Sequence, residues 1–206
     1  MRSFAIVPAA GKSQRMGQPK LLLPAPDGRP LIQIVVTAWL ASNVDHIAVV
    51  IRADDQELHD VISALSSLDT QRLSIVRATP PPQDMRASIQ AGIAWLKQQG
   101  PMAPGTSDVW LVAPADLPRL DPLVINQLLA NYDVNSPQIL IPVCDERRGH
   151  PVLFPWSRAS DVTGLPPDHG LNALVQRTGY RTVAVESVTS FDDIDTPDEY
   201  RKWQDD

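Results

Sequence analysis

A chain of 206 residues, 43% hydrophobic and with a formal net charge of −6, is long enough for one domain with a full core, and its charge excludes broad, sequence-independent binding to nucleic acid. The single cysteine, Cys144, excludes an internal disulfide and argues against a structural zinc site; the four histidines are scattered. No apolar run approaches the roughly 20 residues of a membrane span, and no secretory leader pattern opens the chain, so the expectation is a cytoplasmic protein with residues 1–206 as one domain.

In chain order, the apolar run Phe4–Ala9 reads as a buried strand, and Leu31–Ala41 as a helix with Pro30 suited to its first turn. Ile47–Arg52 is a second strand; Asp54-Asp55-Gln56-Glu57 opens a second helix with acids at its positive end. Leu73–Arg77 is a third strand. Gln83–Gln99 carries Met85, Ile89, Ile93 and Leu96 at helical spacing. Val109–Ala113 is a fourth strand, and Asp121-Pro122 reads as the cap and first residue of the next helix. Ile139–Val143, Pro151–Phe154 and Thr182–Val185 are further strands; Asn172–Thr178 and Pro197–Trp203 are helices. This alternation predicts an α/β fold, a mostly parallel sheet covered by helices on both faces. In such sheets ligands bind beyond the carboxyl ends of the strands.

The first such loop is the most informative. The strand empties into Gly11-Lys-Ser-Gln-Arg-Met-Gly17-Gln-Pro-Lys20, which holds two glycines and three cations. Glycines let backbone N–H groups approach phosphate oxygens, and Lys or Arg neutralise their charge, so the loop reads as a polyphosphate cradle. It is not a P-loop, because five residues separate Gly11 from Gly17 where that motif has four, and Gln18 follows the second glycine. The dinucleotide fingerprint is absent as well.

The fourth strand delivers Asp116, followed by Leu117-Pro118, to the same end of the sheet. A helix cap is better supplied by Asp121, which leaves Asp116 for Mg²⁺, an ion that favours a few carboxylates plus substrate phosphates. In Arg148-Gly-His150-Pro-Val-Leu-Phe154 a turn enters an apolar strand; His150 contacts substrate or bonds to backbone, and Arg147 and Arg148 meet a second phosphate or are solvated. Thr196-Pro197 starts the last helix, and Asp198 and Glu199 suit its first turn. Asp195 lies just before that start, as a metal ligand or as the cap.

These segments together resemble the MobA-like nucleotidyltransferases. Ala9, Ala10, Gly11, Ser13, Arg15, Met16, Gly17 and Lys20 fill the fixed positions of that family's A-A-G-x-S-x-R-M-G-x-x-K signature. Asp116 and Pro118 match its D-x-P, and Asp192-Asp-Ile-Asp195-Thr-Pro197 follows its D-I-D-T-P segment. Arg148–Phe154 is similar to the branch resembling MocA, the molybdenum cofactor cytidylyltransferases. Pro82–Ile89 resembles a G-M-x-x-S segment near the nucleotide, with Asp84 where glycine is common. Asp168–Leu174 resembles a D-x-G-A/L-R-x-L segment, with Asn172 in place of arginine.

The resemblance implies a three-layer Rossmann-like nucleotidyltransferase fold and Mg²⁺-dependent transfer of a nucleoside monophosphate from an NTP to an acceptor phosphate, releasing pyrophosphate. It implies a nucleotide site at Ala9, Ala10, Gly11, Lys12, Ser13, Gly17 and Ser88. Arg15 would neutralise pyrophosphate, Lys20 would engage the α-phosphate, and Asp116 and Asp195 would hold the metal. The acceptor would meet Arg148, His150 and Asn172. CTP is the favoured donor and a phosphorylated small molecule such as molybdopterin the acceptor, with neither nucleic acid nor membrane as partner. A sugar-1-phosphate nucleotidyltransferase, or a nucleotide-binding module without catalysis, are the other readings.

Overall fold

The computed structural model describes residues 1–66, 71–166, 169–186 and 192–205. One residue of the quoted motifs, Asp168, lies outside them. The elements follow in the order β1 (Ser3–Pro8), α1 (Leu31–Leu40), β2 (His46–Arg52), α2 (Gln56–Ser66), β3 (Leu73–Ala78), α3 (Met85–Lys97), β4 (Val109–Val112), α4 (Pro122–Asn131), β5 (Ile139–Cys144), β6 (Arg147–Arg148), β7 (Val152–Pro155), α5 (Ala159–Thr163), α6 (Leu171–Thr178), β8 (Tyr180–Ala184) and α7 (Pro197–Asp205).

The sheet runs β3-β2-β1-β4-β7-β5-β6, with β8 on β5. Strands β1 to β4 run parallel to one another. β7 is antiparallel to both β4 and β5, and β8 is parallel to β5. A mostly parallel sheet is therefore correct, with β7 as a reversed strand inside it and β6 as the return of a short hairpin. The chain leaves β1 toward β2 on one side and reaches β4 on the other. The β1/β4 junction is thus a topological switch point, where a crevice opens at the strands' carboxyl ends.

Strand alternation sorts the core into two layers. Ala5 and Val7 of β1 face Leu31, Val35 and Trp39 of α1, with α2 and α4 beside them and Tyr200 and Trp203 of α7 at the margin. Phe4 and Ile6 face the opposite layer, where Ile89, Ile93 and Leu96 of α3 pack with residues of α5 and α6. β1 is buried on both faces, which is why its sequence reads as an unbroken apolar run. Trp110 of β4 stacks on Phe154, its register partner on β7, with ring centroids 4.3 Å apart. α3 sits unusually close to the sheet: a Cβ at Gly92 would lie 2.8 Å from a methyl of Ile6. This approach brings the start of α3 to the switch-point crevice.

The helix starts follow their sequence signals. Asp121 accepts the N–H of Leu123 and Pro122 follows as the first helical residue, as expected. Pro30 stands at the cap position of α1, one residue before the helix. Among the described residues, no helix is long and apolar enough to cross a membrane.

The N-terminus of β1 is fastened by Arg2 and Asp108. Asp108, nearly buried, accepts the backbone N–H of Arg2 at 2.7 Å, the N–H of Gly105 at 2.8 Å and the Arg2 guanidinium at 2.9 Å. Burial alone would raise its pKa; these donors override it and hold the carboxyl below the ordinary carboxylate range. A depressed folded-state pKa contributes stability above the unfolded pKa and loses it as pH falls through the folded one. Asp108→Asn should therefore lose about 1–3 kcal/mol at neutral pH, and its gap to wild type should close as pH falls below the ordinary carboxylate range. Urea unfolding across that range measures both.

Candidate active site

Beyond β1 the chain stays on the sheet for one more bond, Ala9 N–H to Val50 carbonyl at 2.8 Å, and Ala9 and Ala10 are buried. The loop then turns at Ser13, whose φ is +49°, and the Ser13 carbonyl accepts the N–H groups of Met16 at 3.0 Å and Gly17 at 3.2 Å. Gly17 has φ +71°, a left-handed conformation that glycine adopts without steric cost. Met16 is buried and anchors the loop from inside. The Lys20 N–H donates to Ser13 Oγ at 3.1 Å and closes the turn, and Lys20 opens a short 3₁₀ turn to Leu22. The glycines and Ser13 thus form a closed loop with Lys20 beneath it.

The Lys20 ammonium is the centre of the site. It donates to Asp116 Oδ2, to Asp195 Oδ1 at 2.9 Å and to the Ile194 carbonyl at 3.1 Å, with the lysine side chain only 15% exposed. Arg15 reaches the other oxygen of Asp195 at 2.7 Å. Burial would lower the Lys20 pKa, but the two carboxylates outweigh it and hold the amine above its ordinary range. Asp195 answers in the opposite sense: burial pushes its carboxyl up, and Lys20 and Arg15 bring it below the ordinary value.

The second carboxylate keeps an unused atom. Asp116 Oδ1 is buried and has no hydrogen-bond partner among the described residues, an expensive state for a carboxylate oxygen. That orphan atom beside a second carboxylate fits a site for a divalent cation, with Asp116 and Asp195 as its holders. Among the described residues no group of three or more His, Cys, Asp or Glu is arranged to hold a metal, so remaining ligands would come from substrate and water.

The cleft over this centre encloses about 670 Å³. One wall is Ala10–Met16 with Lys20, the floor is Pro114–Asp116 and Asp195, and the far wall is Pro81–Met85 with Ser88. Asp84 is the N-cap of α3 and accepts the Ala87 N–H. Ser88, buried, donates to the Asp84 carbonyl at 3.1 Å. Of the residues named from sequence, the structure brings Ala10, Gly11, Lys12, Ser13, Arg15, Lys20, Ser88, Asp116 and Asp195 to this cleft. Ala9 and Gly17 support the loop without lining the cleft.

The three residues assigned to the acceptor do not line this cleft. Arg148, on β6, donates to the Tyr180 hydroxyl at 2.9 Å and lies over its ring. Asn172 is exposed in the first turn of α6. His150 is half-buried where the chain enters β7; burial lowers its pKa against the opposing charge of Asp193, and its Nδ1 has no partner among the described residues.

Sequence reasoning gave Asp193 no role and Glu199 only a place in the first turn of the last helix. Burial and then the charge of Asp116 raise the Asp193 pKa, which marks it as a neighbour of the charge centre. Glu199 accepts the N–H of Thr196 at 2.8 Å while Thr196 Oγ1 accepts the Glu199 N–H at 3.3 Å. That is a capping box, and its Thr-x-x-Glu spacing was available in the sequence. It makes Thr196 the cap and leaves Asp195 free of that duty.

Residues 5–183 match the model of the MobA-like NTP transferase domain, and the chain belongs to that family. It is a nucleotidyltransferase. The purine catabolism protein PucB of Bacillus subtilis is 28% identical over 201 residues, covering 93% of this chain and 91% of PucB. The fold is similar to Rv0371c from Mycobacterium tuberculosis in its complex with manganese, at TM-score 0.74 and 21% identity over 100% of this chain and 99% of the other. It is equally similar to a nucleotidyl transferase from Methanothermobacter, at TM-score 0.76 and 22% identity over 99% and 96% of the two chains.

Asp84 has a structural role as the cap of α3, through its bond from the Ala87 N–H. Asp84→Ala should cost about 1 kcal/mol of stability, whereas Asp84→Gly should cost only a few tenths. Chemical unfolding of the two variants side by side distinguishes these values.

Proposed function

We propose that this member of the MobA-like NTP transferase family transfers CMP from CTP to the phosphate of a small-molecule acceptor of the molybdopterin type, with Mg²⁺ and with release of pyrophosphate, working as one domain. The observation that carries the reading is the Lys20 ammonium seated between Asp116 and Asp195 beneath the glycine loop.

In this mechanism an oxygen of the acceptor phosphate attacks the α-phosphorus, and the bond from that phosphorus to the β-phosphate oxygen breaks. Backbone N–H groups of Ala10–Ser13 hold the triphosphate. Arg15, largely exposed at the cleft mouth, neutralises the departing pyrophosphate. The three N–H groups of Lys20 are all engaged, so it reaches the α-phosphate by exchanging one of its present partners. In the transition state its charge then faces the transferring group instead of a carboxylate, which is differential stabilisation of the kind that raises rate. Asp116 and Asp195 are the holders of the cation, which when bound neutralises phosphate oxygens. An anionic nucleophile needs no general base, and His150 does not line the cleft. Positioning and charge neutralisation carry most of the acceleration in such transfers.

The donor is tested by thermal shift with CTP, GTP, UTP and ATP, each with and without Mg²⁺. CTP at about 100 times its Kd should add about 2.7 kcal/mol of apparent stability, and only with the metal. A shift for UTP alone would favour a sugar-phosphate acceptor, and no shift with any nucleotide would overturn the reading.

The catalytic assignments are tested by pyrophosphate release. Lys20→Ala should lower turnover by about a hundredfold or more while only weakening nucleotide binding. Asp116→Asn should abolish the response to metal.

A further inference from the structure

Asp195 is held in place from both sides. On its N-terminal side Ile194 is buried, donates its N–H to the Asp116 carbonyl at 3.0 Å and accepts the Lys20 ammonium on its own carbonyl. On its C-terminal side Glu199 Oε2 accepts two backbone N–H groups, from Thr196 and from Asp195 itself, each at 2.8 Å. A helix cap requires the first of these bonds. The second reaches one residue outside the helix, to the residue whose carboxylate meets Lys20 and Arg15. The helix that carries Glu199 is docked in turn: the Tyr200 hydroxyl donates to the Pro24 carbonyl at 2.7 Å, in the segment that follows Lys20. α7 therefore ties both halves of the charge centre to one rigid element.

We infer that Glu199 is a positioning residue: its carboxylate fixes the Asp195 backbone so that the Asp195 carboxylate is aimed at the charge centre, and it thereby sets the affinity of this centre for a divalent cation. The inference rests on Asp195 being a metal holder in the function proposed above. Without the bond from Asp195 N–H, the backbone before the helix can rotate and carry the carboxylate away from its partners. Partners that orient a ligand in this way typically change metal affinity by about 10- to 100-fold.

The experiment is a Mn²⁺ titration of the full chain in the presence of CTP, with free Mn²⁺ read by electron paramagnetic resonance. The proteins compared are wild type, Asp195→Asn, Glu199→Ala and Glu199→Gln. Expected are strong loss in Asp195→Asn, a loss of about tenfold in Glu199→Ala, and near-wild-type affinity in Glu199→Gln, whose amide oxygen still accepts both N–H groups. If Glu199→Ala fails to fold, Glu199→Asp, too short to reach both donors, takes its place with the same expected loss. A lower melting temperature with wild-type Mn²⁺ affinity in Glu199→Ala, while Asp195→Asn is impaired, makes Glu199 a cap only and overturns the inference but not the function. Equal loss in Glu199→Ala and Glu199→Gln assigns the effect to charge and also overturns it. Wild-type affinity in Asp195→Asn overturns the metal role of Asp195 and the inference with it.

Discussion

One half-buried ammonium between two carboxylates organises the functional end of this protein. Lys20, Asp116 and Asp195 are each mostly withdrawn from solvent, and a charge removed from water is costly unless paired and hydrogen-bonded. The three groups therefore need one another, and with them the loops that bear them. The glycine loop must close at Ser13 to present Lys20. The segment after β4 must end at Asp116, and the segment before α7 must hold Asp195 within reach of both cations. The opposed pKa shifts of Lys20 and Asp195 are two signs of the same dependence.

The sheet meets this demand by its strand order. With β1 central and β4 beside it, the carboxyl ends of the two strands open side by side, and the glycine loop and Asp116 are adjacent. The reversed β7 lets the later strands extend the sheet, and α7 then returns to the β1 side, where Tyr200 and Trp203 pack at the margin of the α1 layer. Gly92 allows α3 to settle closely on β1 and β2, so that the helix start reaches the far wall of the cleft.

Capping residues separate the groups that serve the helices from those that serve the cleft. Asp121, Asp84 and Thr196 each begin a helix, and every one carries a local hydrogen bond that explains it. Asp116 and Asp195 lack such bonds and face the cations instead. In the sequence this division was clear for Asp121, where proline follows, and for Asp116, where Asp121 already filled the role. It was ambiguous for Asp195, because a carboxylate before Thr-Pro suits a cap and a ligand alike. The capping box that Glu199 completes with Thr196 relieves Asp195 of the cap.

What the sequence determined by itself was local. Unbroken apolar runs identify strands buried on both faces, and period and cap residues locate the helices. Glycine spacing with cations singles out the loop after β1. Each signal depends on neighbours within a few residues; the strands and helices hold in the structure, and that loop lines the cleft. The direction of β7 and the commitment of Arg148 to Tyr180 left no such trace, because pairing partners and side-chain neighbours are chosen by the assembled sheet. The same holds for the charge centre: Lys20 and Asp116 are 96 positions apart, and Lys20 and Asp195 are 175 apart. The sequence supplied three charged residues at the ends of three elements. Only the folded chain, by laying β1 beside β4 and bringing the start of α7 back to them, decided that they share one site, because the Coulomb and hydrogen-bond terms that couple them act over a few ångströms of space and not along the chain.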